Sequence, residues 1–193
     1  MLLNIAVART NRMKLMISQS HHWKKDLIKL AERMSKRSKQ RRWTERSYFL
    51  FEKDVFFAFY SIRKLLEADK LSQDVANLSL NVVSYPALGK KVTKINNFDL
   101  TKLYDFSKGD KANLKLLLTC HQIVHSYIFT PVVNEDHSCT GIMFCSDRTR
   151  NKALYEMELE ELVKCIQHVA EDDPTEWHYI RDPNLGDYKV TVV

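Results

Sequence analysis

The chain has 193 residues, a formal net charge of +6, and 45% hydrophobic against 28% charged residues, the balance of a globular domain with a real core. Only 4 Gly and 4 Pro are present, which argues against a many-stranded all-β protein and favours long helices. No run approaches the ~20 apolar residues of a membrane-spanning helix. Met1 to Arg9 is too short and too early charged for a secretory signal, so a soluble, cytoplasmic protein without membrane contact is expected.

The charge is uneven. Met1 to Arg46 holds 13 Lys/Arg against 3 Asp/Glu, and the remainder holds 17 against 21. A basic first quarter points to an acidic partner, either RNA or an acidic protein surface.

Ser18 or Ser20 is placed to cap a first helix running to about Arg42. Trp23, Leu27, Leu30 and Met34 form its apolar stripe. Lys24, Lys25, Lys29, Arg33, Lys36, Arg37, Arg41 and Arg42 are the candidate nucleic-acid-binding residues on its other faces, where they can track a phosphate backbone. Thr44 starts a second helix, roughly Glu45 to Lys70. Its run of Phe49, Leu50, Phe51, Val55, Phe56, Phe57, Phe59 and Tyr60 is apolar nearly all round, as expected of a central helix.

Leu78 to Val83 alternates like a short strand, and a short helix is expected over Asp99 to Phe106. A third strong helix is expected over Asn113 to Phe129, stopped by Thr130-Pro131. Gly141 to Ser146 and Ala153 to Met157 read as strands joined by a basic turn from Asp147 to Lys152. Glu158 to Ala170 reads as an amphipathic helix, and Trp177 to Ile180 with Asp187 to Val193 as a closing hairpin. The expected fold class is therefore α+β and mostly α. Residues 1–131 form a helical bundle, and residues 132–193 form a small antiparallel sheet with one further helix, packed on the bundle as a single compact unit.

Cys120, Cys139, Cys145 and Cys165 form no Cys-x-x-Cys pair and read as free, buried thiols of a reducing compartment. The chemistry of the chain turns on Cys120-His121-Gln122-Ile123-Val124-His125-Ser126-Tyr127. Two histidines four apart share one helix face. A zincin places Glu directly after its first His, but here Gln122 stands there and cannot act as a base, so no metal or other cofactor is assigned. His121 and His125 can also simply be hydrogen-bonded packing residues of the bundle.

Cys120-x4-His125-Ser126-Tyr127 resembles the R-x4-H-x-Y motif of the HEPN-domain superfamily, ribonucleases built on helical bundles and common in bacterial toxin–antitoxin and defence systems. The resemblance implies His125, Tyr127 and His121 as catalytic candidates, a metal-independent ribonuclease chemistry, and a homodimer with the motif helices meeting. Cys120 stands where the motif has arginine, and a thiol cannot hold phosphate through two hydrogen bonds. Either Arg63 or Lys115 supplies the missing cation, or the nuclease site is degenerate. The expected function is a HEPN-like RNA-binding or macromolecular-interaction protein with a degenerate ribonuclease site. The alternatives are a non-enzymatic subunit that binds a protein partner, and an active endoribonuclease using His125.

Overall fold

The computed structural model describes residues 17, 19–184 and 186–193. The cap expected at Ser18 and the segment Met1 to Arg9 lie outside the described residues.

Helix α1 (Ser20–Ser35) forms on the expected stripe, with Leu27, Leu30, Ala31 and Met34 buried. Gln19, not a serine, occupies its N-cap position. It ends seven residues short of Arg42, in a 3-10 turn over Lys36–Lys39. Beyond Ser35 there is no apolar face to bury, and Arg37 and Arg41 would repel each other at i,i+4 in a continued helix.

Helix α2 (Glu45–Glu67) is capped by Thr44, whose Oγ1 accepts the Ser47 N–H at 3.3 Å. It closes with Lys70 N–H donating to the Leu65 carbonyl at 2.9 Å and Asp69 N–H to Leu66 at 3.2 Å. Asp69 takes the left-handed conformation that this helix ending requires (φ 52°). Phe51, Val55, Phe59, Ile62 and Leu65 are fully buried, each worth about 1.5–3 kcal/mol of transfer free energy. The helix is not covered all round, however: Phe49, Phe57 and Tyr60 are 58%, 60% and 45% exposed.

After a short helix α3 (Gln73–Ala76), the chain forms β1 (Ser79–Pro86), β2 (Asp110–Lys115), α4 (Leu116–Val124), β3 (Ser126–Val133), β4 (Cys139–Ser146), β5 (Ala153–Glu158) and α5 (Leu159–Glu171). A hairpin of β6 (Trp177–Asp182) and β7 (Asp187–Val192) follows. β1 to β5 make one antiparallel sheet in the order β2-β1-β5-β4-β3. This corrects the helical-bundle fold class. The core is organised on a five-stranded sheet that draws strands from both sides of residue 131.

The correction centres on the expected helix from Asn113 to Phe129. It is instead the end of β2, a nine-residue helix, and the first half of β3. A continuous apolar run is compatible with either a helix or a buried strand. Here Tyr127, Ile128, Phe129, Thr130, Val132 and Val133 are β-formers, and all of them but Tyr127, which sits in a bulge, pair with β4 instead of extending α4. The expected helix over Asp99 to Phe106 is reduced to two 3-10 turns, Leu100–Lys102 and Phe106–Lys108.

Alternate residues of the sheet serve two cores. Leu80, Val82, Ile142, Phe144 and Met157 pack under the helices α1, α2, α4 and α5. Cys145, Leu154 and Ile128 pack on the opposite face with Val92, Leu103 and Tyr104 of the segment 87–109. Gly141 lets β4 approach β5, since a Cβ there would collide with the Met157 carbonyl oxygen. Glu161 of α5 accepts the Asn81 backbone N–H at 2.8 Å, pinning that helix across β1. No helix of the described residues is long and apolar enough to cross a membrane.

Candidate functional site

His125 ends α4. It sits at the C-cap, its own N–H donating to the His121 carbonyl at 3.1 Å, and its side chain is exposed. The ring meets α2. Arg63 Nη1 lies 3.0 Å from His125 Nε2. Arginine has only N–H donors, so Nε2 accepts with its lone pair and the imidazole is neutral in this arrangement. Arg63 is steadied by Glu67, with Nε donating to Oε1 at 2.6 Å, and Lys64 donates to the other Glu67 oxygen at 2.6 Å. The Nη2 edge of Arg63 has no partner among the described residues.

His121 stands one turn before His125, with ring centroids 6.4 Å apart and ring planes inclined at 64°. Desolvation lowers its pKa first, and the positive charge of Arg63 and the neighbouring His125 lower it further, while Glu67 opposes them. Arg148, from the turn between β4 and β5, acts in the same direction as Arg63. The cluster is thus a guanidinium, two imidazoles and a lysine gathered around one carboxylate, on an exposed surface.

Tyr127 is not part of this cluster. It is half-buried with the second core, and the Arg150 guanidinium carbon lies over its ring, 3.8 Å from the centroid. Arg150 Nε lies 3.3 Å from Asp147 Oδ1, close enough for an ion pair but outside hydrogen-bond geometry. The ladder with β4 is irregular between Ser126 and Ile128, and this bulge sets Tyr127 beside Ile128 in the second core.

Cys120, at the arginine position of the motif, is fully buried, and burial beside Cys165 pushes its thiol pKa up. A cation at that position would point into the core. Arg63 reaches His125 from another helix, while Lys115 donates to the Asn77 carbonyl at 3.3 Å from the far end of α4. Gln122 is buried and structural. Its Oε1 accepts the Ser146 N–H at 2.9 Å and the Thr149 hydroxyl at 2.7 Å, anchoring the turn that carries Arg148 and Arg150. Neither arginine was singled out as a site residue. The density of basic residues from Asp147 to Lys152 is the signal that could have found them.

The basic helix divides. Lys24 is buried, donates to the Asp172 carbonyl and lies 3.6 Å from its carboxylate, and desolvation lowers its pKa. Arg33 is held by two hydrogen bonds to buried Asp54, at 3.0 and 2.9 Å. Lys29 pairs with Asp26 at 3.0 Å and Arg41 with Asp136 at 3.4 Å, both exposed. Arg37 covers the Trp43 ring at 5.8 Å. Lys25, Lys36 and Arg42 are exposed and carry no ion pair among the described residues. Lys24 is therefore withdrawn from any binding surface, and Arg33, though exposed, is tied to buried Asp54.

No group of three or more His, Cys, Asp or Glu able to hold a metal ion occurs among the described residues. Compared with family models, curated proteins and solved structures, the chain finds no match in any of the three.

Proposed function

We propose that this protein binds RNA on the surface formed by α1, α2 and the end of α4, with Arg63 and His125 at its centre. The observation that carries the reading is the Arg63–His125 contact. A half-buried guanidinium is oriented by Glu67 and His125 and keeps an N–H edge for a phosphate oxygen. Lys64, Arg148 and the exposed Lys25, Lys36 and Arg42 extend the positive field. The excess of basic residues in the first quarter and the four free, buried thiols fit a cytoplasmic RNA-binding role.

Binding without cleavage is the favoured form of this reading. The His125 lone pair is occupied by Arg63, so the imidazole can take a proton only after Arg63 turns away. A second reading follows from the same contact. If a phosphate draws Arg63 off, His125 is freed beside it. It can then take the proton of a ribose 2′-hydroxyl whose oxygen attacks phosphorus, leaving a 2′,3′-cyclic phosphate and a protonated 5′-oxygen.

The test is binding and cleavage of a mixed RNA pool across a salt titration, comparing wild type with Arg63→Ala and His125→Ala. Salt-sensitive binding that Arg63→Ala weakens supports the reading. New 5′-hydroxyl ends that disappear in His125→Ala support the nuclease form. A wild-type protein that neither binds nor cuts overturns both.

A further inference from the structure

Phe57 stands where two concave surfaces meet. The first, about 430 Å³ between α1 and α2, is lined by Trp23, Lys29, Arg33, Lys53 and Phe57 together with His22. Its acidic members are already paired, Asp26 with Lys29 and Asp54 with Arg33. The second, about 330 Å³, is lined by Phe56, Phe57, Tyr60 and Val124. It leads on to the candidate site, because Val124 precedes His125 and Tyr60 lies one turn before Arg63.

Along one stripe of α2, aromatics and cations follow in the order Phe49, Lys53, Phe57, Tyr60, Lys64, all exposed but the half-buried Lys64. The steps of three and four residues keep all five on one face. Lys53 Nζ lies 5.8 Å from the Phe49 ring centroid and Lys64 Nζ 5.8 Å from that of Tyr60. The stripe is about 22 Å long at the helical rise per residue.

We infer that this stripe is a stacking track for single-stranded nucleic acid, leading from the α1–α2 groove to the Arg63–His125 pair. The inference rests on the RNA-binding reading above and names the form of the ligand. An aromatic ring can stack only on a base face that is free, and a duplex hides its base faces. Lys53, one turn from both Phe49 and Phe57, meets the phosphate beside a stacked base, and Lys64, one turn beyond Tyr60 and paired with Glu67, adds positive charge at the end of the track. A second copy of the chain or an apolar protein partner is the poorer occupant, since the centre of a protein interface is depleted in lysine, and here Lys53 divides Phe49 from Phe57. At a stacked spacing of about 3.4 Å per nucleotide, the track holds about six nucleotides.

The test uses the full chain with a labelled single-stranded RNA of about eight nucleotides and a blunt duplex of the same sequence, read by anisotropy. Wild type is compared with Phe57→Ser and Tyr60→Ser, both at exposed positions, with melting temperatures measured in parallel. The expected result is single-strand binding about tenfold or more above duplex binding, reduced about fivefold by each substitution while Tm holds. Equal binding to both forms, or full single-strand affinity in both variants, overturns the track and leaves the RNA reading standing. Binding to neither overturns both. If the substitutions instead dissociate a dimer in sedimentation and leave nucleic-acid affinity unchanged, the stripe is a self-interface and the track is overturned.

Discussion

Arg63 and His125 are 62 positions apart in the chain, on different helices, yet Nη1 of one lies 3.0 Å from Nε2 of the other. Neither residue is buried, and Glu67 holds Arg63 from the opposite side at 2.6 Å. The contact supplies a cation beside His125, which the motif position itself, buried Cys120, does not.

If Arg63 holds phosphate, Arg63→Ala should reduce the slope of log affinity against log salt by about one and weaken RNA binding near physiological salt. Arg63→Lys should keep that slope, because the charge remains, but lose affinity because an ammonium has no planar fork. A slope identical to wild type in Arg63→Ala would remove the residue from the binding surface.

Lys24 and Lys25 are adjacent but should behave oppositely. Lys24→Ala leaves the largely buried Asp172 carboxylate without its cation and should destabilise the fold by about 3 kcal/mol in urea unfolding. Lys25→Ala should change stability by less than about 0.5 kcal/mol and act, if at all, on RNA affinity. Equal unfolding midpoints for the two variants would contradict the buried pairing.

His121 couples the site to pH. Its folded pKa lies below the ordinary value of 6.5, chiefly through desolvation and the charge of Arg63. The unfolded chain therefore binds the proton more readily. The contribution of His121 to stability is present above about pH 6.5 and is lost as the pH falls through and below that value. His121→Gln should flatten the fall in Tm between neutral pH and about pH 5. An unchanged profile would place the acid sensitivity elsewhere.

Gln122 should prove structural. Gln122→Ala removes the acceptor of the Ser146 amide and the Thr149 hydroxyl and should cost about 1–3 kcal/mol. Added zinc should not restore the loss, since Gln122 faces the β4–β5 turn.

Tyr85 gives a direct check of the opposite sheet face. Burial, and then its 2.6 Å hydrogen bond to Glu156, push its pKa up to about 12. Burial also raises Tyr104 and Tyr155, so ultraviolet titration should show several tyrosines ionising above pH 10, Tyr85 at about 12, with the Tyr85 contribution to stability present below about pH 10 and lost as pH rises toward 12. Glu156→Gln should bring that ionisation down.

Much of the local structure was legible in the order of residues. The stripe of Leu27, Leu30 and Met34 marked α1, Thr44 marked the start of α2, and the apolar spacing of Leu159, Leu162 and Ile166 marked α5. The strands at 141–146 and 153–157, and the final hairpin, followed from β-formers bounded by turn residues. These features are local, because helical periodicity, capping and turn chemistry act within a few residues.

What the sequence by itself determined, then, was a set of elements, a basic first quarter and a histidine pair four residues apart in a helical segment. Tertiary structure decided the rest. Pairing of β3 with β4 took residues 126–129 out of the expected helix, and the bulge at Tyr127 set that residue on the far side of the sheet. Burial withdrew Lys24 beside Asp172 and Cys120 into the core. The packing of α2 against α4 brought Arg63 to His125 and left Phe57 and Tyr60 uncovered. A strand acquires its partners, and a charge its neighbours, only when distant segments pack together, and no pattern within a few residues carries that information.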